Sequence, residues 1–256
     1  TMRPVDWLWK GKLAAGKVSM IQGDPGLGKS MLTASLAAVI TTGGLWPVTR
    51  DRAPKGAVII LSAEDDADDT IMPRLEAAGA DLDQIYILDA IKTVDETGAT
   101  MTRGFDLSQD ISRLIVLMRE VDAKLVIIDP ASAYMGASGK LDSHKNSDVR
   151  GIMAALKDAA ADVGAAIVIV NHLNKSASQN ALMRGQGSVG WTAASRAVFG
   201  VGLDRARGGR GHGGSGISQA RGPGAARGVR DHRDPARRGR APRWLRRCAL
   251  CFQRPA

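Results

Sequence analysis

Eight residues near the amino terminus constrain the fold more than any other feature of the sequence. Residues 23–30 read GDPGLGKS and match the pattern G-x-x-x-x-G-K-[ST]. They follow an apolar run at 17–22 and open a helical pattern at 29–40, the strand–loop–helix context of a phosphate-binding loop. Glycines let such a loop turn tightly, so that its N–H groups and the helix N-terminus face an anion. We expect a nucleotide site here, because this context makes a chance glycine-rich turn a poor alternative.

The side chains of this loop predict the ligands ATP and Mg²⁺. Lys29 is expected to reach the β- and γ-phosphates, and Ser30 to ligate Mg²⁺. The predicted contacts from the loop are Gly23, Asp24, Pro25, Gly26, Leu27, Gly28, Lys29 and Ser30.

Short β-rich runs alternate with helical patterns along the first 203 residues, which predicts an α/β fold. The expected architecture is a mostly parallel, twisted sheet flanked by helices. Strands are predicted at residues 17–22, 57–62, 84–88, 124–128, 165–170 and 196–203. Helices are predicted at 29–40, up to about residue 79, at 108–121 and at 148–163, with loops at 93–104, 131–146 and 173–187.

Asp129 ends an apolar run at residues 125–128 and suits a Walker-B aspartate that holds Mg²⁺. The alternative is a turn residue at a strand end, which the following Pro130 favours.

Pro130 also occupies the position where many P-loop hydrolases carry a catalytic glutamate, so we expect the base elsewhere. Glu64 follows the second predicted strand at the same sheet edge as the phosphate-binding loop, where a carboxylate can deprotonate a water. Alternatively, Glu64 belongs to a solvated acidic turn with Asp65, Asp66, Asp68 and Asp69.

Asn171 and His172 end another buried strand at that edge. Both side chains can sense a γ-phosphate by hydrogen bonding. The alternative is a pair of strand-end caps.

Charge divides the chain into a predicted domain at 1–203 and a tail at 204–256. The tail contains 14 arginines, three aspartates and no lysine, whereas the body is mildly acidic. A segment so poor in apolar periodicity is expected to be disordered. Three origins remain open: a nucleic-acid-binding arm, a variable extension, or out-of-frame translation of a GC-rich gene. We favour the last, because lysine and periodicity both stop abruptly.

No apolar run is long enough to cross a bilayer, and the amino terminus has no apolar signal region. We therefore expect a cytoplasmic protein with no membrane contact. Because the sequence begins at Thr1 rather than Met, we expect it to be a fragment of a longer reading frame.

These motifs together resemble the RecA superfamily, most closely the RepA-type plasmid replicative helicases. The resemblance covers roughly residues 5–203. Its elements are residues 23–30 with Met31, residues 61–65 with Arg74, residues 125–130, residues 167–176 and residues 184–196.

The resemblance implies a role for several residues. The strand ending at Asn171 lies between the P-loop and Walker-B strands, Glu64 is the catalytic carboxylate, and His172 is the phosphate sensor. Met31 joins the nucleotide contacts. Arg196 reaches the ATP of a neighbouring subunit, so the resemblance predicts a homo-oligomeric ring such as a hexamer.

The loops at 131–146 and 173–187 fall where relatives contact single-stranded DNA, a predicted partner. Phosphate contacts are expected from Lys140, Lys145, Lys175 and Arg184. Few aromatic side chains can stack on bases, since Tyr134 and Trp191 are the only ones in or near these two loops.

We therefore expect an ATP-hydrolysing motor acting on DNA, a replicative helicase or recombination ATPase of a mobile element. The second hypothesis is a regulatory or repair ATPase that resembles KaiC or RadA and does not unwind DNA. A third is an arginine-rich nucleic-acid binder with a vestigial fold, and a fourth is a small-molecule kinase.

Overall fold

The structure is a computed structural model, and its described part covers most of the predicted domain. The described residues are 4–94, 100–135, 142–143, 145–173, 189–203, 215–220 and 228–229. The predicted DNA contacts Lys140, Lys175 and Arg184 lie outside them, as does most of the tail.

Strands and helices alternate along the chain as the sequence patterns predict. The strands are β1 (Trp7–Trp9), β2 (Leu13–Ala14), β3 (Val18–Gly23), β4 (Ala57–Ser62), β5 (Ile85–Ile87), β6 (Ala90–Val94), β7 (Thr100–Gly104), β8 (Ala123–Asp129), β9 (Ala166–His172), β10 (Ala197–Leu203), β11 (Ser215–Ala220) and β12 (Gly228–Val229). The helices are α1 (Lys29–Thr42), α2 (Met72–Ala77), α3 (Leu107–Glu120), α4 (Asn146–Val163) and α5 (Gly190–Ala194). A π-helical turn, Ala67–Ile71, precedes α2, and 3₁₀ turns cover Leu82–Gln84 and Ala131–Tyr134.

The main sheet has the strand order β12-β11-β10-β3-β9-β8-β4-β5. The six strands from β10 to β5 pair in parallel. The α/β fold with a mostly parallel sheet is therefore confirmed. Strand β9, which ends at His172, lies between β3, which leads into the phosphate-binding loop, and β8, which ends at Asp129, as the resemblance implied.

The central strands are apolar on both sides because helices cover both faces of the sheet. On one face, α3 and α4 pack on Met20, Val126 and Ile167. On the other, α1 and α2 pack on Val58, Ile127 and Val168. None of the helices in the described ranges has the length and apolar character needed to span a membrane.

Helix α1 ends two residues beyond the predicted end at residue 40. It runs to Thr42, and Gly43 adopts a left-handed conformation with φ of 63°. The N–H groups of Gly43 and Gly44 donate to the carbonyls of Ile40 and Val39. This C-cap satisfies carbonyls of the last turn.

A small amino-terminal hairpin, β1–β2, was not predicted. It packs on the loop after α1 through Trp9 and Trp46, whose rings stack with centroids 4.7 Å apart. The Trp46 Nε1–H donates to the Leu8 carbonyl over 3.0 Å. The hairpin therefore anchors the chain just before β3.

Two further regions differ from the sequence predictions. The predicted loop at 93–104 is wrong in part, because β6 and β7 form an antiparallel hairpin there. β7 is mostly exposed and so lacks the apolar alternation that marks a strand. Within the tail, β11 pairs antiparallel with β10, and β12 with β11, although no strand was predicted past residue 203.

Strand β3 ends at Gly23, where its backbone lies very close to that of β10. A Cβ atom on Gly23 would lie 2.6 Å from the Val201 carbonyl oxygen and 3.1 Å from its Cβ. Because the nearest atom belongs to the backbone of a neighbouring strand, it cannot move aside without disturbing the sheet.

We predict that Gly23→Ala lowers the free energy of unfolding by about 1–3 kcal/mol, the usual range for overpacking. Urea denaturation measures the change. Gly202→Ala is the matched control, because a Cβ there meets nothing within 4 Å among the described residues. Equal stability of the two variants would contradict the close approach.

Candidate nucleotide site

Parallel register brings the predicted site residues to one edge of the sheet. Gly23 of β3 lies opposite His172 of β9, and Ser62 of β4 lies opposite Asp129 of β8. The carboxyl ends of these four strands therefore meet at the start of α1. Open α/β sheets bind their ligands at this edge.

The phosphate-binding loop has the backbone conformation that its glycines allow. Gly26 and Gly28 have φ values of 77° and 81°, in the left-handed region that side chains with a Cβ rarely adopt. Gly28 is the N-cap of α1 and offers no side-chain cap. The first N–H groups of α1 are therefore available to an anion.

Lys29 is buried and crosses the loop. Its ammonium donates to the carbonyls of Gly23 and Asp24, each over 3.0 Å. Burial lowers the pKa of Lys29, and the carboxylates of Asp129, Glu64 and Asp24 oppose that shift. The ammonium is thus held at the loop by backbone oxygens that a phosphate group can replace.

Ser30 and Asp129 face each other beside this lysine. The Ser30 hydroxyl donates to Asp129 Oδ2 over 3.4 Å. Burial raises the pKa of Asp129 to about 6, and the nearby Glu64 carboxylate adds to the shift. Bonds and charges from His172, Ser30 and Lys29 act in the opposite direction.

Glu64 is paired with His172 rather than simply solvated. His172 Nε2 lies 3.0 and 3.1 Å from the two Glu64 carboxylate oxygens. The Glu64 side chain is 52% exposed and that of His172 20% exposed, so the pair lies at the mouth of the site. One ligand atom each from Glu64, Asp129 and His172 lies within 4.8 Å of the others.

Backbone and ionic contacts on either side of Glu64 hold its loop. The Ala63 N–H donates to the Asp129 carbonyl over 3.0 Å. On the other side, Arg74 forms an ion pair with Asp65. Asp66 caps the π-helical turn by accepting from the Asp68 N–H.

The ion pair of Asp65 with Arg74 was missed as a functional contact by sequence reasoning. Both side chains line a pocket beside Ser30 and Asp129, closed on its apolar side by Ile71 and Leu75. A spacing of nine residues does not by itself predict that two side chains meet. The π-helical turn between Asp65 and Arg74 changes the number of residues per turn, so regular helical spacing does not apply to this pair.

The other predicted contact residues are spread over the same edge. Asn171 is buried on β9 opposite Gln22, one residue before His172. Met31 is exposed in the first turn of α1. Lys145 is exposed just before α4, at the end of its loop.

Arg196 lies at the opposite edge of the sheet. Its N–H donates to the Val18 carbonyl over 2.7 Å, at the start of β3. Val18 lies five residues before Gly23 along β3, which corresponds to a distance of about 17 Å. Arg196 is exposed and does not belong to the nucleotide site of its own chain.

The two aromatic side chains nearest the predicted DNA loops are not available for stacking. Tyr134 is 5% exposed and Trp191 is 2% exposed, and both belong to the hydrophobic core beneath α3 and α4.

This combination of a parallel sheet, a glycine-rich loop before α1 and acidic groups on adjacent strand ends defines a P-loop ATPase domain. The chain belongs to the AAA_25 family, described as AAA domain, whose model matches residues 1–178. This family is of the P-loop type found in RecA-like and helicase-type proteins. Membership of this family implies nucleotide binding. The match does not identify the RepA type, and it ends at residue 178, before the predicted domain end at residue 203. A search of the curated proteins gave no match.

The ionised Asp129 side chain should cost stability in the ligand-free protein. Its pKa is raised from 3.8 to about 6, so the folded state binds the proton more tightly than the unfolded state. The ionised carboxylate therefore destabilises the fold above pH 6, and this cost disappears as the pH falls below 3.8.

We predict that Asp129→Asn raises the free energy of unfolding of the nucleotide-free protein at pH 8 by roughly 1–3 kcal/mol, and by about half as much at pH 5. Urea denaturation at both pH values tests this, with Asp158→Asn on the exposed face of α4 as control. A loss of stability at pH 8, or an equal gain at both pH values, would contradict the assignment.

Proposed function

We propose that this chain hydrolyses ATP with Mg²⁺ and forms the core of an oligomeric motor acting on DNA, of the RepA-like replicative helicase type. The observation that carries the ATPase proposal is the joint placement of Lys29, Asp129 and the Glu64–His172 pair. One edge of the sheet thus holds a cation for the phosphates (Lys29), a carboxylate for Mg²⁺ (Asp129) and a general base (Glu64).

The residues at this edge fit a Mg²⁺ ion. The Ser30 hydroxyl and Asp129 carboxylate are hard oxygen donors of the kind Mg²⁺ prefers, and they already face each other. Bound Mg²⁺ would neutralise charge on the phosphate oxygens. Lys29 and the first N–H groups of α1 hold the phosphates themselves.

Glu64 supplies the base in this mechanism. Its carboxylate accepts a proton from water, the water oxygen attacks the γ-phosphorus, and the bond to the β–γ bridging oxygen breaks to release ADP. His172 holds the carboxylate in place through Nε2. When the γ-phosphate is present, His172 can donate to a phosphate oxygen instead, which makes it a sensor.

Arg196 supports the oligomeric part of the proposal. It is exposed and lies about 17 Å along the sheet from its own phosphate-binding loop, so any role in hydrolysis would be at a neighbour's site. An arginine supplied from another subunit stabilises the charge that develops on the transferred phosphate. Homo-oligomeric assembly, as in a hexameric ring, would bring it there.

A regulatory or repair ATPase of the KaiC or RadA type is the second candidate. It is favoured by the burial of Tyr134 and Trp191, because a motor that tracks single-stranded DNA commonly stacks bases on exposed aromatic rings. In this alternative, ATP hydrolysis drives a switch and does not depend on DNA.

We predict that Lys29→Ala reduces ATP hydrolysis at least about 100-fold, because it removes the cation that stabilises the phosphates. Phosphate release measures the rate. Lys157→Ala, on an exposed position of α4, is the control and should retain wild-type turnover.

The same assay with single-stranded DNA separates the two candidates. The motor predicts that saturating DNA raises the hydrolysis rate several-fold, whereas an unchanged rate supports the regulatory ATPase. Undiminished hydrolysis in Lys29→Ala would overturn both.

A further inference from the structure

The pairing of Glu64 with His172 brings a nitrogen ligand into a site otherwise built from oxygen atoms. His172 Nε2 lies 3.0 and 3.1 Å from the Glu64 oxygens, and an Asp129 oxygen completes a set within 4.8 Å. The three residues come from three different strand ends, β4, β8 and β9. Their relative positions are therefore fixed by the sheet rather than by a single loop.

These separations match the spacing of ligands round a small dication. With bonds of about 2.1 Å, adjacent ligand atoms lie about 3.0 Å apart and opposite ones about 4.2 Å apart in an octahedral site, and ligand atoms lie about 3.4 Å apart in a tetrahedral one. The Glu64–His172 distance already equals an adjacent spacing. The separations from Asp129, which are at most 4.8 Å, need to shorten by up to about 1.8 Å to reach an adjacent spacing, and the half-exposed Glu64 side chain can supply part of that movement.

The charge balance also calls for a cation. Asp129 is 8% exposed, and Glu64 adds a second negative charge near it. Lys29 is the nearest buried cation among the described residues, but its ammonium is occupied by the Gly23 and Asp24 carbonyls. A dication bound between the carboxylates would relieve their repulsion.

The imidazole decides which cations suit the site. Mg²⁺ favours oxygen donors, whereas imidazole nitrogen suits first-row transition metals such as Zn²⁺ and Cu²⁺. We propose that Glu64, Asp129 and His172 bind a transition-metal dication in the nucleotide-free protein, and that this ion inhibits the ATPase by holding Glu64 and His172. The inhibitory part rests on the proposed function, but the binding part does not.

Proton balance limits the affinity. Neutral His172 donates from Nε2–H to Glu64, so a metal at Nε2 requires the proton to move to Nδ1. Nδ1 is buried and has no hydrogen-bond partner within the described ranges. An unpartnered N–H weakens the complex, so we expect dissociation constants of about 1–100 μM rather than nanomolar values.

Electron paramagnetic resonance with Mn²⁺ tests the site on the full chain without nucleotide. We expect one Mn²⁺ bound with micromolar affinity that shows ¹⁴N coupling from imidazole in electron spin echo spectra. Zn²⁺ should displace it at micromolar concentration, whereas millimolar Mg²⁺ should not. Mn²⁺ bound without nitrogen coupling, or no binding at all, would overturn the proposal.

Variants then assign the nitrogen to His172. His172→Ala should abolish the ¹⁴N coupling and weaken Mn²⁺ binding at least about tenfold. Glu64→Gln should weaken it similarly, and because this side chain is half-exposed, the variant provides a second test that does not depend on how His172→Ala folds. His144→Ala is the matched control, and retention of nitrogen coupling in His172→Ala would refute the site.

The metal site and the ATPase can fail separately. Zn²⁺ at site-saturating concentration should inhibit hydrolysis by the wild-type chain. If Mn²⁺ binds through His172 but the chain hydrolyses no ATP, the proposed function fails and the metal site stands. If hydrolysis is normal and insensitive to Zn²⁺, the inhibitory role is refuted.

Discussion

The parallel pairing of β3, β9, β8 and β4 is the constraint on which the rest of the site depends. Its register sets Gly23 level with His172 and Ser62 level with Asp129. Residues separated by more than 100 positions in sequence thereby meet beside α1. A slip of one residue in any of these pairings would turn the affected strand's side chains to the opposite face and dismantle the site.

The same packing buries charged side chains at this edge of the sheet and shifts their pKa values. Burial raises the pKa of Asp129 and lowers that of Lys29, so each charge is less stable than it would be in water. Their mutual attraction and the Ser30 hydroxyl offset only part of that effect. The fold thus maintains buried charges that a bound dication and phosphate group would stabilise, as is common where pKa values are shifted at functional sites.

The sequence was sufficient for the fold class and for most of the edge residues. The loop at Gly23 and Gly28, the Walker-B position of Asp129 and the paired strand ends carry local chemical patterns that indicate their location. Pro130 was informative as well. Because it occupies the position after Asp129, where many P-loop hydrolases carry a glutamate, it indicated that the base is elsewhere, at Glu64. The structure sets Glu64 against His172 across 3.0 Å, which is the geometry a base and its orienting partner need.

What the sequence did not predict depends on tertiary contacts or on irregular backbone. The β1–β2 hairpin is held by Trp9 stacking on Trp46, a contact across 37 residues with no local pattern. The Asp65–Arg74 pair depends on a π-helical turn, which no propensity identifies. Strands β6 and β7 form a hairpin whose second strand is mostly exposed and therefore lacks alternation.

We propose that the water-activating carboxylate is Glu64, which follows β4, rather than a residue on the strand of Asp129. Parallel measurement of ATP binding and single-turnover hydrolysis in Glu64→Gln tests it most directly. We expect the variant to bind ATP within about threefold of the wild-type affinity and to hydrolyse it at least about 100-fold more slowly. Hydrolysis at the wild-type rate in this variant would contradict it.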